Sequence, residues 1–151
     1  MIDRTGQLDR LPAPHLSHLL DFGTEVVFAP GARIFEEGSA ARQFWLLRSG
    51  SVALDMHVPG RHAVAVERLG PGDLLGWAWL FPPHRWHMSA ESVGTVHALQ
   101  FEAGAIRAEC ERDPEFGYHV ILACARVVAE RLQTSRLRIL ELYGPHASDA
   151  P

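Results

Sequence analysis

The sequence predicts an α+β fold: an antiparallel β jelly roll or barrel of about eight short strands, with a short N-terminal helix and a long C-terminal helix. The first observation is a series of short apolar runs over about residues 22–101, separated by turns that contain glycine or proline. The second is the alternation of Val52, Leu54 and Met56, which places three apolar side chains on one face of a strand. The third is a change to helical spacing after Phe101.

The length and composition are typical of one globular domain. The chain has 151 residues, of which 47% are hydrophobic and 21% are charged, so it can bury a core without disulfides. We therefore assign residues 1–151 to a single domain, with the jelly roll over about 22–101 and a helical tail over about 102–143.

The charge and the cysteines constrain the class of partner and the cellular compartment. The net charge is −4 and the chain contains arginine but no lysine, which argues against nucleic-acid binding through a basic face. Cys110 and Cys124 lie in helical segments and are expected to be small core residues of a reducing compartment. No apolar run reaches membrane-spanning length, and the N-terminus has no secretory pattern. We therefore expect a cytoplasmic protein without a membrane partner.

The first helix and the strands follow from local patterns. Leu16, Leu19 and Leu20 have the spacing of a helix face, and Gly23 ends that helix. The run from Phe44 to Leu47 is almost entirely apolar, which indicates a buried strand. Turns are predicted at Pro30-Gly31, Ser49-Gly50, Pro59-Gly60, Leu69-Gly70-Pro71-Gly72 and Gly94.

The longest predicted helix runs from Glu115 to Tyr143 and ends at Gly144-Pro145. Its apolar positions recur in steps of three and four residues. They are Ile121, Cys124, Val128, Leu132, Ile139 and Leu142, with Ser135 filling the gap. Two interpretations stay open: the helix packs along its own barrel, or the stripe forms the seam of a homodimer, because it extends beyond what a small barrel covers.

The segment from Gly72 to Trp86 is the candidate functional site. It is a glycine-flanked apolar turn that ends on a single cation, Arg85. A helical turn whose backbone N–H groups face an arginine can hold an anion such as a phosphate. Trp77, Trp79 and Trp86 can stack on a base or ring. The alternative interpretation is a core-packing turn whose aromatic side chains fill the interior.

Three motifs in the same order resemble those of the cyclic nucleotide-binding domain family, and in particular the bacterial catabolite-activator-like regulators. They are Phe28-x-Pro-Gly31-x-x-Ile34-Phe35-x-Glu37-Gly38, Phe44-Trp45-Leu46-Leu47-x-Ser49-Gly50-x-Val52 and Leu69-Gly70-Pro71-Gly72-Asp73-x-x-Gly76. The segment Arg131-Leu132-Gln133-Thr134-Ser135 is also similar to the long helix of those regulators. The resemblance covers about residues 22–143.

The resemblance implies a pocket for a cyclic nucleotide, cAMP or cGMP, or for another small phosphate-bearing ligand, without a further cofactor. Arg85 would pair with the phosphate. The ligand-binding residues that it implies are Gly76, Trp77, Ala78, Trp79, Arg85, Trp86, Thr134 and Ser135. Ligand occupancy would then move the long helix relative to the barrel, and a partner protein or a second subunit would respond to that movement.

The sequence departs from the family pattern in two places. Trp77 stands where the family has a glutamate that accepts a hydrogen bond from the ribose, and losing that acceptor costs about 1–3 kcal/mol, or about ten- to a hundredfold in affinity. The small residues that follow the family's arginine are replaced by Trp86-His87, and the segment is shorter. The chain also ends soon after Tyr143, so we expect a stand-alone domain without a helix-turn-helix domain and without direct DNA binding.

No pattern predicts catalysis or a metal site. Glu36 and Glu37 are adjacent and would point to opposite faces of a strand, and no G-x-S-x-G motif occurs. His84 and His87 lie three residues apart, but they lack the further ligands that a metal-binding jelly roll would supply. The other strand-like histidines are His57, His62 and His97. We therefore expect neither an enzyme nor a metal centre.

Two functions remain. The first is a stand-alone sensor that binds a cyclic nucleotide or another small phosphate ligand and signals through its C-terminal helix to a partner. The alternative is a ligand-free protein-interaction or scaffold module whose pocket is filled by tryptophans.

Overall fold

The computed structural model describes residues 6–60 and 63–148, with side chains described to residue 142. Six strands and three α-helices make up this part of the chain. The strands are β1 (Thr24–Phe28), β2 (Arg33–Phe35), β3 (Gln43–Met56), β4 (Val64–Leu69), β5 (Leu74–Leu75) and β6 (Ser89–Glu102). The helices are α1 (Ala13–Leu20), α2 (Ala103–Arg112) and α3 (Pro114–Ser148), with short 3-10 turns at Gly6–Leu8 and Ala78–Leu80.

One antiparallel sheet contains all six strands, rather than the eight that the sequence led us to expect. Its main path runs β1-β6-β3-β4, while β2 pairs with β6 and β5 pairs with β3. The difference arises at Gly50 and Gly94, where turns were predicted. Gly50 has a φ of 84° and lies in a bulge, so β3 continues through it as one strand of 14 residues. Gly94 likewise lies inside the 14-residue β6.

The core lies between the sheet and the helices, and stacked aromatic rings form its centre. The ring of Phe44 on β3 stacks on Trp79 at 4.5 Å and on Phe101 at 4.9 Å between centroids. All three side chains are essentially inaccessible to solvent. The apolar run that predicted a buried strand therefore forms the middle of β3, as expected.

The N-terminal turn joins the sheet beside the candidate site. Gln7 donates its backbone N–H to the carbonyl of Gly72 at 2.9 Å, and its side-chain oxygen accepts the Leu74 N–H at 2.7 Å. Gly6 lies so close to Gly72 that a Cβ there would be 2.1 Å from the Gly72 oxygen. The chain then enters α1 directly after Pro12, and Pro14 lies in the first turn of that helix.

The long helix α3 has a buried first half and an exposed second half. Phe116, Val120, Cys124 and Val127 are buried against the rest of the domain. Ile121, which belongs to the predicted apolar stripe, is 45% exposed, because it lies about 100° around the helix from the buried Val120. Beyond Val127, the exposed large apolar side chains are Leu132, Leu137, Ile139, Leu140 and Leu142.

Two further sequence predictions concern α3. Its backbone stays helical to Ser148, past Gly144-Pro145, which was predicted to end it. A proline removes one backbone donor and does not by itself fix the last helical residue. Cys124 is a buried free thiol, as expected, and burial raises its pKa to about 12.

None of the helices in the described part of the chain combines the length and hydropathy needed to cross a membrane.

Candidate functional site

The candidate site is the segment between β5 and β6, which packs against α3. Gly76 follows β5 directly and has a φ of 97°, a backbone conformation that side chains disfavour. Trp77 then leads into the 3-10 turn Ala78–Leu80. Gly76 therefore occupies a position at which the backbone itself favours glycine.

A small cavity lies at this segment, between the sheet and α3. Its volume is about 30 Å³, which suffices for a water molecule. Small-molecule pockets are typically about 300–1,000 Å³. The residues around the cavity are Phe35, Leu54, Leu75, Gly76, Trp77, Ala78, Trp86, His87, Met88 and Arg131. Four of the predicted ligand-binding residues, Gly76, Trp77, Ala78 and Trp86, thus line one cavity.

Trp86 fills most of the space at the cavity. Its indole stacks on Phe35 with 3.8 Å between ring centroids and 13° between the planes, and only 6% of the residue is exposed. A Cβ on Gly76 would lie 2.7 Å from the tip of the indole, so the two residues are in tight contact. The tryptophan is therefore an inward-facing core residue that leaves little room for a ligand.

Arg85 does not line this cavity, so the structure separates it from the four predicted ligand-binding residues that do. Its side chain is exposed, and its Nη1 donates to the carbonyl of Gly38 at 2.9 Å. Arg85 and Ala40 form an isolated antiparallel bridge, so the backbone is locally extended. Successive side chains on extended backbone point to opposite sides. Because Trp86 faces inward, Arg85 faces outward, toward an open surface groove that Arg107 also lines.

Arg131 is the cation that does line the cavity, and it comes from α3. It donates from Nη2 to the carbonyl of Leu74, just before the candidate segment. Within the described part of the chain its buried Nε has no hydrogen-bond partner. Burial is also the main influence on its guanidinium, and lowers the pKa. An arginine that is incompletely paired in a cavity can bind an anion.

The other two tryptophans of the segment have separate roles. Trp77 is half-buried and stacks on His87 at 5.5 Å between centroids, at the edge of the cavity. Trp79 does not line the cavity, in contrast to the prediction, because its ring lies in the aromatic stack of the core. Its Nε1 has no hydrogen-bond partner among the described residues, so the position is favoured by packing alone.

Thr134 and Ser135 lie outside the cavity, in contrast to the prediction. Both are exposed on α3, and the Thr134 hydroxyl donates to the carbonyl of Glu130 in its own helix at 3.0 Å. They follow Arg131 by three and four residues, so they share its side of the helix one turn further on. At that point α3 has passed the cavity.

The residue that sequence reasoning missed is Arg131. The signal was present, because the segment Arg131–Ser135 had been singled out by its resemblance to the long helix of known regulators. The resemblance implied Thr134 and Ser135 of this segment as ligand-binding residues, but not Arg131. Only the packing of α3 against β5 places the guanidinium at the cavity.

Comparison with known proteins supports the same fold. The pattern of the cyclic nucleotide-binding domain family matches residues 25–113. The CRP-like cAMP-activated global transcriptional regulator of Mycobacterium tuberculosis is 26% identical over 117 residues, which is 78% of this chain and 50% of that protein. The nitrogen fixation regulation protein FixK of Azorhizobium caulinodans is 31% identical over 104 residues, 68% of this chain and 38% of that protein.

A solved structure shares the fold over most of this chain. The crystal structure of a cyclic nucleotide-binding domain from Methylobacillus flagellatus KT superposes with a TM-score of 0.81 at 14% identity, over 89% of this chain and 79% of the other. At that identity the likeness establishes the fold alone. The chain spans half or less of the length of the two regulators. The matched pattern covers more than half of the described sequence, and the chain belongs to the cyclic nucleotide-binding domain family.

Proposed function

We propose that this chain is a regulatory module of the cyclic nucleotide-binding fold that acts through its long helix α3, with a cavity that Trp86 closes to cyclic nucleotides. The observation that carries this proposal is the indole packed between Phe35 and Gly76. In this proposal the chain needs no cofactor and has no catalytic activity of its own. The regulators that it resembles support the regulatory role.

Three features of the site support the closed cavity. The cavity volume of about 30 Å³ is about a tenth of the lower bound for typical ligand pockets. Trp77 provides no hydrogen-bond acceptor for a ribose hydroxyl. The outward Arg85 already donates to the carbonyl of Gly38 and would have to leave it to reach a phosphate.

Calorimetry with cAMP and with cGMP tests this first proposal. We expect no binding heat from the wild-type chain up to millimolar ligand, because the site would have to expel a packed indole. Micromolar binding of either nucleotide would contradict the closed cavity. A Trp86→Ala variant is the positive control, because it makes space without changing the charges of the site. We expect this variant to bind a nucleotide that the wild type does not bind.

The exposed half of α3 supports a homodimer as the output surface. Ile139 and Leu142 are 54% and 69% exposed and lie three residues apart on one face of α3, which Leu132 extends. A second copy of α3 is the complementary surface that every molecule of this chain supplies. We expect sedimentation velocity to give a dimer for the wild type and a monomer for Leu142→Glu.

The matched control for that experiment is Val27→Glu. Val27 is 60% exposed on β1, so this variant introduces the same charge at a similar exposure away from α3. It should remain a dimer. A wild-type monomer at high protein concentration, or equal dissociation by both variants, would contradict the proposed interface.

A second candidate function is a sensor of a small phosphate-bearing ligand, and Arg131 is the observation that favours it. Its buried Nε is unpartnered at the cavity, and the same side chain belongs to α3. An anion bound there would change the contact between β5 and α3 directly. This candidate requires Trp86 to move when the ligand binds.

Charge-removing variants separate this sensor from the closed module. Inorganic phosphate, cAMP and cGMP are titrated into the wild type, Arg131→Met and Arg85→Ala. The sensor predicts binding that Arg131→Met abolishes and Arg85→Ala leaves intact. Absence of binding in all three proteins leaves the closed module as the better account. Binding that only Arg85→Ala abolishes would instead identify Arg85 as the cation that pairs with the phosphate, as the sequence indicated.

A further inference from the structure

A cluster of three metal-ligating side chains, none of which lines the cavity, lies between α1 and the start of α3. His15, Glu115 and His119 each direct one ligand atom into a common space, and these atoms all lie within 4.8 Å of one another. His15 Nε2 and Glu115 Oε1 are 3.7 Å apart. The two imidazole rings lie 4.6 Å apart between centroids, with 25° between their planes.

The scaffold holds the three residues on well-packed elements. Glu115 and His119 are four residues apart on α3, so they lie on one face of the helix about a turn apart. Between them Phe116 is fully buried and lies 6.5 Å from the His15 ring, so it fixes the first turn of α3 against α1. Only 16% of the His15 side chain is exposed. The two helices therefore define the site before any ion binds.

The neighbouring charged groups leave this cluster available. His18, one turn along α1, forms a separate pair with Glu109 at 2.8 Å. Arg112 also contacts Glu109, so this arginine is already paired with a carboxylate outside the cluster. The cluster itself consists of two imidazoles and one carboxylate, which together present one negative charge to a cation.

We propose that His15, Glu115 and His119 bind a divalent transition-metal ion of the Zn²⁺ type. Two imidazole nitrogens and one carboxylate oxygen are ligands that Zn²⁺ prefers, at about 2.0–2.2 Å from the metal. Tetrahedral ligand atoms at that distance are roughly 3.3–3.6 Å apart. The 3.7 Å between His15 and Glu115 is already close to that range, and the wider separations in the cluster, at most 4.8 Å, close with a shift of about 1 Å at the side-chain ends. Water takes the fourth position.

The ion would join two parts of the chain that are distant in sequence. It ties α1 to the first turns of α3, while the signalling half of α3 lies beyond Val127. Binding to the folded state alone stabilises that state in proportion to the logarithm of the ion concentration. The metal site does not depend on whether the cavity binds a nucleotide.

The test is a titration of ZnCl₂ into the full chain after chelator treatment, in a non-coordinating buffer. We expect one ion per chain and a rise in Tm with ion concentration. His15→Ala and His119→Ala should each weaken binding at least tenfold, since each removes one of three protein ligands. Glu115→Gln keeps the size of an exposed side chain and should also weaken binding at least tenfold. Co²⁺ in place of Zn²⁺ should give the visible absorption of a tetrahedral site.

The matched control is His97→Ala, which removes an exposed histidine on β6 and should leave the affinity unchanged. No binding by the wild type overturns the proposal. So does a loss below tenfold in His119→Ala, or an equal loss in His97→Ala, because the ion would then bind elsewhere on the chain.

Discussion

Replacement of Trp86 by alanine is the sharpest test of the closed cavity. Only 6% of Trp86 is exposed, and its indole stacks on Phe35 with 3.8 Å between the ring centroids. Truncation of a buried aromatic residue to alanine costs about 3–5 kcal/mol, from lost transfer free energy and the remaining cavity. Domains of this size have a total stability of about 5–15 kcal/mol, so the variant should fold with a much lower free energy of unfolding.

Urea denaturation of the wild type and three variants measures this effect. Trp86→Ala should lower the midpoint concentration without changing the slope, because the surface exposed on unfolding stays similar. Trp86→Phe keeps a ring on Phe35 and should recover at least half of the loss. Trp77→Ala removes the same indole from a half-buried position at the cavity edge and should cost about 1–2 kcal/mol.

The reasoning would be refuted by a Trp86→Ala variant that loses less than about 1 kcal/mol, because an indole in close contact with two neighbours cannot be removed so cheaply. Equal losses for Trp86→Ala and Trp77→Ala would likewise show that the inward position has no special role. Either result would make an open pocket the better description and would favour the nucleotide sensor.

Two further predictions concern a glycine and a carboxylate. Gly38 and Gly76 have positive φ values of 86° and 97°. A Cβ added to Gly38 would meet no atom within 4 Å, whereas one added to Gly76 would meet the Trp86 ring. Gly38→Ala is therefore the control that measures the backbone cost alone, about 1–2 kcal/mol. Gly76→Ala should cost about 1–3 kcal/mol more in urea denaturation because its Cβ meets the indole, and equal costs would contradict that contact. Arg112 and His18 lower the pKa of Glu109 from 4.5 to about 2. The stability that Glu109 contributes is therefore fully present above about pH 4.5 and lost as the pH falls toward 2. The difference in unfolding free energy between the wild type and Glu109→Gln should shrink over that range, and a difference that does not change with pH would contradict the assignment.

The sequence predicted the elements of the fold well where a local pattern decides them. The alternation of Val52 and Leu54 and the apolar run from Phe44 both lie in β3, and the stop at Gly23 precedes β1. The number of strands was wrong because Gly50 can end a strand or lie in a bulge, and the local sequence does not distinguish these outcomes. Long-range pairing with β6 decides between them.

The site was predicted in part for the same physical reason. Gly76 and its two successors line the cavity because a left-handed glycine after a strand requires a special turn. Arg131 was missed because it is 57 residues from its partner Leu74. The cluster of His15 with Glu115 and His119 lies even further apart along the chain. Contacts of this kind depend on how helices dock, which local spacing does not specify.

The extended backbone at Arg85 and Trp86 determines which of the two side chains faces the cavity. Arg85 and Trp86 are neighbours, so only one of them can face the cavity at a given register. An aromatic side chain buries about 150–250 Å², which at about 25 cal/mol per Å² is worth about 4–6 kcal/mol as an upper estimate. Exposing the indole and bringing the guanidinium inward sacrifices that free energy. A ligand that binds only the exchanged register would therefore lose about three to four powers of ten in apparent affinity. In the proposed function, the order of these two adjacent residues is the reason that the cavity is closed to a nucleotide, while the chain keeps the fold of its family.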